Sequence, residues 1–165
     1  MTDVPTVYMI HGFLGVGKTT FSRELEQRKR ALRFSHDEWM SCLYGDDPPA
    51  DRFQEYARRV AALMQETWTR CVALNQNVIL DMGFWSHAER ERVRQLVIAM
   101  GGIPVLYRLQ CSDEQAWRRI AQRNRGLNGS LFISRATFDL LKSRFEPLLP
   151  TEERVEVLTG EPTCS

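Results

Sequence analysis

Lysine is scarce in this chain. Lys18, Lys29 and Lys142 stand beside nineteen arginines, and the formal net charge is only +1 over 165 residues. That balance gives no electrostatic reason to expect duplex DNA or an anionic membrane as a partner. No apolar run approaches the roughly 18 residues of a membrane span. The opening residues lack the basic and apolar regions of a signal peptide, so the expected location is cytoplasmic. The four cysteines, Cys42, Cys71, Cys111 and Cys164, are far apart and form no C-x-x-C pair. Free thiols are therefore expected in place of a metal site or disulfide framework. Internal repeats and low-complexity tracts are also missing. Residues 1–165 read as one domain, long enough to bury a substantial core.

What is present starts at Gly12. The run Gly12, Phe13, Leu14, Gly15, Val16, Gly17, Lys18, Thr19 is a G-x-x-x-x-G-K-T loop, and one of the three lysines fills its basic position. A chain of this size would match that pattern by accident less than about once in a hundred. Such a loop wraps backbone N–H groups around nucleotide phosphates, while its Lys reaches the β/γ-oxygens and its Ser/Thr hydroxyl ligates Mg²⁺. A short apolar strand over 6–10 precedes it. A helix opening at Lys18, Thr19 and Thr20 follows, aiming its N-terminus at the bound anion.

Strands and helices alternate to the end of the chain, which predicts a parallel α/β sheet. A second strand is expected over 31–35, ending at His36 to Trp39, with a loop around Gly45 to Pro49. Apolar residues then recur every three or four positions from Phe53 to Val72, the mark of an amphipathic helix over about 50–74. Val78 to Asp81 reads as a central strand. Two capping boxes, Ser86 with Glu89 and Ser112 with Gln115, open helices to Met100 and to Asn124. Between them Ile103 to Leu109 is a strand. Turn chemistry over 125–130, a helix over about 135–146 and a last strand over 155–158 complete the pattern.

The phosphate loop alone does not separate kinases from other nucleotide-binding proteins. A guanine-reading N-K-x-D motif is absent, and no carboxylate follows Asp81 as a hydrolytic partner. In an open parallel sheet, ligands sit beyond the carboxyl ends of the strands. Asp37 and Asp81 end the second and third strands on that edge. Asp37 is placed to orient an acceptor hydroxyl and take its proton, with an N-cap of a helix starting at Glu38 as the alternative role. Thr19, and Asp81 through water, would hold Mg²⁺. Arg118, Arg119, Arg123 and Arg125 fall within eight residues and end at a glycine-bearing loop. They predict a lid over about 118–133 whose Arg119 and Arg123 share a helix face and neutralise phosphoryl charge. Trp39, Tyr44, Phe84 and Trp85 lie just beyond strand ends and are expected to wall an acceptor pocket.

With these residues assembled, the chain resembles the small P-loop kinases related to zeta toxin, chloramphenicol phosphotransferase and polynucleotide kinase. More specifically it resembles the bacterial AAA-domain family beside them. The matching stretches are His11 to Thr20, Ser35 to Met40, Leu80 to Ser86, and Arg118 and Arg119 to Asn124. The resemblance implies a three-layer α/β/α P-loop fold whose five-stranded parallel sheet has the order 2-3-1-4-5. It also implies ATP with Mg²⁺ as donor, Asp37 as general base, and Arg119 and Arg123 as lid arginines. Where nucleoside monophosphate kinases carry an arginine after the third strand, this chain has Trp85, which argues against a nucleotide acceptor. The expected function is transfer of the γ-phosphate of ATP to a hydroxyl of a small molecule, an antibiotic, sugar or nucleoside-like compound. The alternatives are a polynucleotide 5′-hydroxyl kinase and an ATP-dependent switch without transfer.

Overall fold

The computed structural model describes residues 4–126 and 132–160. Eleven elements follow one another among them: β1 Thr6–His11, α1 Lys18–Lys29, β2 Leu32–Ser35, α2 His36–Tyr44, α3 Ala50–Ala73, β3 Val78–Gly83, α4 His87–Ala99, β4 Ile103–Gln110, α5 Asp113–Asn124, α6 Arg135–Arg144 and β5 Val155–Leu158. The strands form one parallel sheet in the order β2-β3-β1-β4-β5. The fold is the expected α/β one, in the expected order.

The alternation of side chains along a strand divides the core between two faces. Val7, Met9, Val78 and Leu80 point to one face, where α3 lays down Val60, Met64, Trp68 and Val72 and α4 adds Val93 and Val97. Tyr8, Ile10 and Ile79 point to the other, against Leu25 of α1. β1 and β3 are buried on both faces, so they read as continuous apolar runs. A third cluster of Phe13, Leu14, Ala116, Ile120 and Phe138 packs α5 and α6 beneath the phosphate loop. No helix among the described residues is long and apolar enough to cross a membrane. Cys42, Cys71 and Cys111 are free thiols.

One element departs from the sequence reading. A helix, α2, starts directly at His36, and its N-cap is Ser35, whose hydroxyl accepts from the Glu38 amide at 3.4 Å. Asp37 is therefore not a cap. It sits in the first turn of α2, where a carboxylate is favoured by the helix dipole. Ser35-x-x-Glu38 is itself a capping-box pattern that the sequence reading passed over. Residues 127–131, which hold most of the turn expected over 125–130 and the middle of the expected lid, lie outside the described residues. Its flanks are joined by Asn124, whose side chain donates to Ile133 O at 2.7 Å and accepts from Ile133 N at 3.1 Å.

Candidate functional site

The loop between β1 and α1 is built for close approach. Gly12 N donates to Gly83 O at 3.2 Å and Val16 N to Phe13 O at 3.4 Å, folding the loop back over the end of β1. Gly15 has φ +74°, and a Cβ there would meet Ala116 O at 2.3 Å, so only glycine lets α5 lie this near. Gly17 caps α1 at φ +100° with no side-chain hydrogen bond. The first N–H groups of α1 are thus left for an anion. Phe13, Leu14 and Val16 are buried and anchor the loop from below.

A cleft of about 480 Å³ opens above this loop, and Lys18, Thr19, Thr20, Asp37, Asp81, Arg119 and Arg123 all line it. Lys18 Nζ donates to Phe13 O at 3.0 Å. Burial pulls its pKa below the ordinary lysine value, against the opposing fields of Asp81 and Asp37.

Asp81 lies opposite Ser35 in the β2–β3 register and is 6% exposed. Its Oδ2 accepts from Ser22 Oγ at 2.8 Å and from Arg33 Nη1 at 3.4 Å. Burial raises its pKa, with Lys18 and the Ser22 hydroxyl pulling the other way. Both bonds fall on Oδ2, and Asp81 and Thr19 both line the cleft. Hard oxygen donors of this kind fit Mg²⁺, which takes one or two protein oxygens and fills its octahedron with phosphate oxygens and water.

Asp37 faces the same cleft with 57% of its side chain exposed. The surrounding protein pushes its pKa up, but His36, Lys18 and Arg123 outweigh this and hold the carboxyl below its ordinary value. It is ionised throughout the neutral range. Arg123 faces it from α5. Burial lowers the Arg123 pKa, Asp37 opposes that, and Nε is buried without a hydrogen-bond partner among the described residues.

The two expected lid arginines occupy different settings. Among the described residues Arg123 has no side-chain hydrogen bond and feels the field of Asp37, whereas Arg119 is tied to the loop. Its Nη1 donates to Gly15 O at 3.3 Å and to Val16 O at 3.1 Å, and its Nη2 donates to Thr159 O. Arg119 thereby sits between the cleft and a second cavity of about 410 Å³ lined by Gly17, Thr20, Phe21, Val157 and Thr159.

The expected aromatic wall is corrected at Phe84. Phe84 is fully buried in the core and adopts φ +50°, with its carbonyl accepting from His11 Nδ1 and Arg90 Nη1, both at 2.9 Å. Trp39 packs against Phe34, with ring centroids 6.0 Å apart, and Tyr44 stacks on Tyr56 at 3.8 Å. Trp85 packs on Phe13 at 5.5 Å. None of the four lines the phosphate cleft; Phe84 belongs to the core, while Trp39, Tyr44 and Trp85 are half-buried against neighbouring rings. The sequence reading missed Ser22, Arg33 and Glu38. Glu38 lines the cleft and bridges Arg23 at 2.8 Å and Arg33 at 2.6 Å, and Arg33 in turn reaches Asp81. These contacts join residues up to 59 positions apart, and only the capping-box spacing of Glu38 gave any local signal.

A parallel sheet of this order, with a G-x-x-x-x-G-K-T loop feeding an uncapped helix and acids beyond two neighbouring strands, defines a P-loop nucleotide-binding protein of kinase-like type. The chain belongs to the AAA domain family, which it matches over residues 7–148. No curated protein matches it. Among solved structures it is similar to a candidate kinase from Chloroflexus aurantiacus, with 23% identity, TM-score 0.73, and 97% of this chain and 91% of that one covered. It is also similar to Kti12 of Chaetomium thermophilum in complex with ADP-AlF3, with 19% identity, TM-score 0.68 and coverages of 92% and 87%. A gluconokinase from Sinorhizobium meliloti gives 13% identity, TM-score 0.65 and coverages of 96% and 85%.

Proposed function

We propose that this protein is an ATP-dependent kinase that moves the γ-phosphate of ATP to a hydroxyl of a small-molecule acceptor, with Asp37 as general base. One observation carries the reading: an ionised carboxylate faces the phosphate loop across a single cleft, with Lys18 and Arg123 in its field. A protein that only bound ATP and changed shape would have no use for a base there.

In this reading the loop amides and the α1 N-terminus bind the β-phosphate, and Lys18 leaves Phe13 O to meet the β/γ-oxygens. Thr19 and Asp81 would hold Mg²⁺, which would supply neutralisation of the phosphate charge. Ser22 and Arg33 fix the Asp81 carboxylate for that task. Asp37 accepts the proton of the attacking hydroxyl, and Arg123 stabilises charge on the transferred group. Arg119 stiffens the loop, and the cavity beside it accommodates the nucleotide base.

Two of the similar structures are a gluconokinase and a sugar kinase, which favours polyol or sugar-like acceptors for the first trials. A nucleic-acid 5′-hydroxyl is less favoured. Arg118, Arg125 and Arg135 do surround Trp117 on a neighbouring face. However, Glu114 lies among them and Arg135 is paired to Asp139 at 3.2 Å, which breaks any basic track. The test is a panel of hydroxyl compounds scored for ADP release above the acceptor-free rate, with Lys18→Ala as control. At least one acceptor should raise ADP release in the native protein and not in the variant. A panel of sugars, polyols, nucleosides and aminocyclitols that leaves the rate unchanged, with ATP bound, would favour the switch instead.

A further inference from the structure

His36 opens α2 with 21% of its side chain exposed, and among the described residues its two ring nitrogens meet only acceptors. Nε2 is 3.0 Å from Ala57 O in the interior of α3, and Nδ1 is 3.9 Å from Asp37 Oδ1. A carbonyl can only accept, so Nε2 carries hydrogen in either charge state. The neutral ring then turns the Nδ1 lone pair toward a carboxylate, which is repulsive. The protonated ring turns an N–H toward it, which is attractive. From these contacts we propose that His36 is a positioning residue whose imidazolium form clamps the Asp37 carboxylate and ties it to α3. Its bearing on catalysis rests on the kinase reading above; the clamp itself does not.

The charged groups facing the ring agree with this assignment. Asp37 approaches from α2 itself and Glu89 from α4, while α3 contributes the Ala57 carbonyl. Arg90 and Arg92 stand near Glu89 and partly offset it. Burial lowers the His36 pKa, but Asp37, the Ala57 carbonyl and Glu89 together lift it above the ordinary 6.5. The protonated ring also helps to depress the Asp37 pKa. The clamp therefore lowers the basicity of Asp37 while fixing its direction. The sign follows: the clamped form holds below the folded pKa of His36 and is lost as pH rises through it.

The experiment has two arms. In the first, the three histidines are titrated by NMR in the native protein and in Asp37→Asn, with the His36 resonance assigned by its loss in His36→Gln. His36 should titrate above 6.5 in the native protein, and its pKa should fall by about one unit when the carboxylate is removed, the lower end of the effect of an adjacent opposite charge. An unchanged His36 pKa would overturn the clamp, and this arm needs no transfer activity. In the second arm, kcat is followed against pH with an acceptor from the panel. The native enzyme should lose activity on the alkaline side with the pKa of His36. His36→Gln should lower kcat by roughly 10–100-fold, the scale of a misplaced reacting group, with the KM for ATP within about twofold and the alkaline limb gone. His36→Arg, a permanent cationic donor, should recover kcat and stay flat with pH. A limb that persists in His36→Gln would also overturn the proposal. Failure of the kinase reading shows differently, as an acceptor panel that never raises ADP release while the His36 pKa still falls in Asp37→Asn.

Discussion

Replacing Glu152 by Gln should destabilise the fold by about 3 kcal/mol at pH 7 and flatten its response to acid. Arg90, on α4, has a side chain only 2% exposed, and among the described residues Glu152 is its one carboxylate partner. Nε meets Oε1 at 2.7 Å and Nη2 meets Oε2 at 3.1 Å. Oε2 also accepts from Leu149 N at 2.7 Å. Burial pushes the Glu152 pKa up, but Arg90 and the Leu149 amide outweigh it and take the carboxyl from 4.5 to about 2. That fall corresponds to about 3 kcal/mol in favour of the ionised form. Stripping one partner from a buried pair costs about 3–5 kcal/mol. Here Phe84 O, Glu146 O and Pro147 O remain bonded to Arg90, and the amide oxygen of Gln can still accept, so the lower figure applies. The folded pKa is depressed, so the contribution is complete above about 4.5 and disappears as pH falls toward about 2. Urea unfolding of both proteins at pH 7, 5 and 3 reads the difference directly. The gap between them should shrink markedly by pH 3. An equal gap at pH 7 and pH 3 would refute the argument, because the loss would then owe nothing to ionisation. The pair matters to the site through Phe84, whose carbonyl takes bonds from both Arg90 and His11 at the end of β3. His11 itself is held neutral, since burial lowers its pKa to about 4.

Two further substitutions separate roles within the loop and α5. Gly15→Ala places a methyl 2.3 Å from Ala116 O at φ +74°. It should cost more than about 1 kcal/mol in thermal or urea unfolding and weaken ATP binding in a titration, because the backbone there cannot give; native-like affinity would show the loop to be softer than its packing implies. Arg123→Ala should lower kcat by roughly 10²–10³ with little change in the KM for ATP, whereas Arg119→Ala should chiefly raise that KM. Identical kinetic profiles would mean that the different anchoring of the two arginines has no catalytic counterpart.

Local, steep signals carried over from sequence to structure. The Ser112 capping box and the apolar period behind it mark α5 at Asp113–Asn124, and the alternation of element types predicts the parallel sheet. The apolar stripe of α3 became the packing surface expected of it. Long-range choices were not legible. Phe84 and Trp85 stand beyond a strand end, and nothing local says whether a side chain there turns outward or back into the core; the φ of +50° at Phe84 turns it in. Arg119 and Arg123 share a helix face, yet only Arg119 meets carbonyls of the loop, because α5 packs directly beneath Gly15. Ser22 and Arg33 support Asp81 from α1 and β2, a relation that exists only once the sheet is assembled.

The role of Asp37 is the centre of the account. Ser35, not Asp37, caps α2, so Asp37→Asn leaves the capping hydrogen bond intact and exchanges a carboxylate for a near-isosteric amide. It loses the helix-dipole contribution of a first-turn acid, about 0.3–1 kcal/mol, and the attraction of His36, Lys18 and Arg123, which solvent screens at this half-exposed carboxylate. General-base catalysis is worth about 10²–10⁴-fold in rate. The decisive measurement is acceptor-dependent ADP formation by Asp37→Asn, taken with its ATP affinity and melting temperature. Transfer reduced by about 10²–10⁴-fold, with ATP binding and melting near those of the native protein, is the predicted result. Transfer at the native rate with the fold intact would contradict it and remove Asp37 from the chemistry.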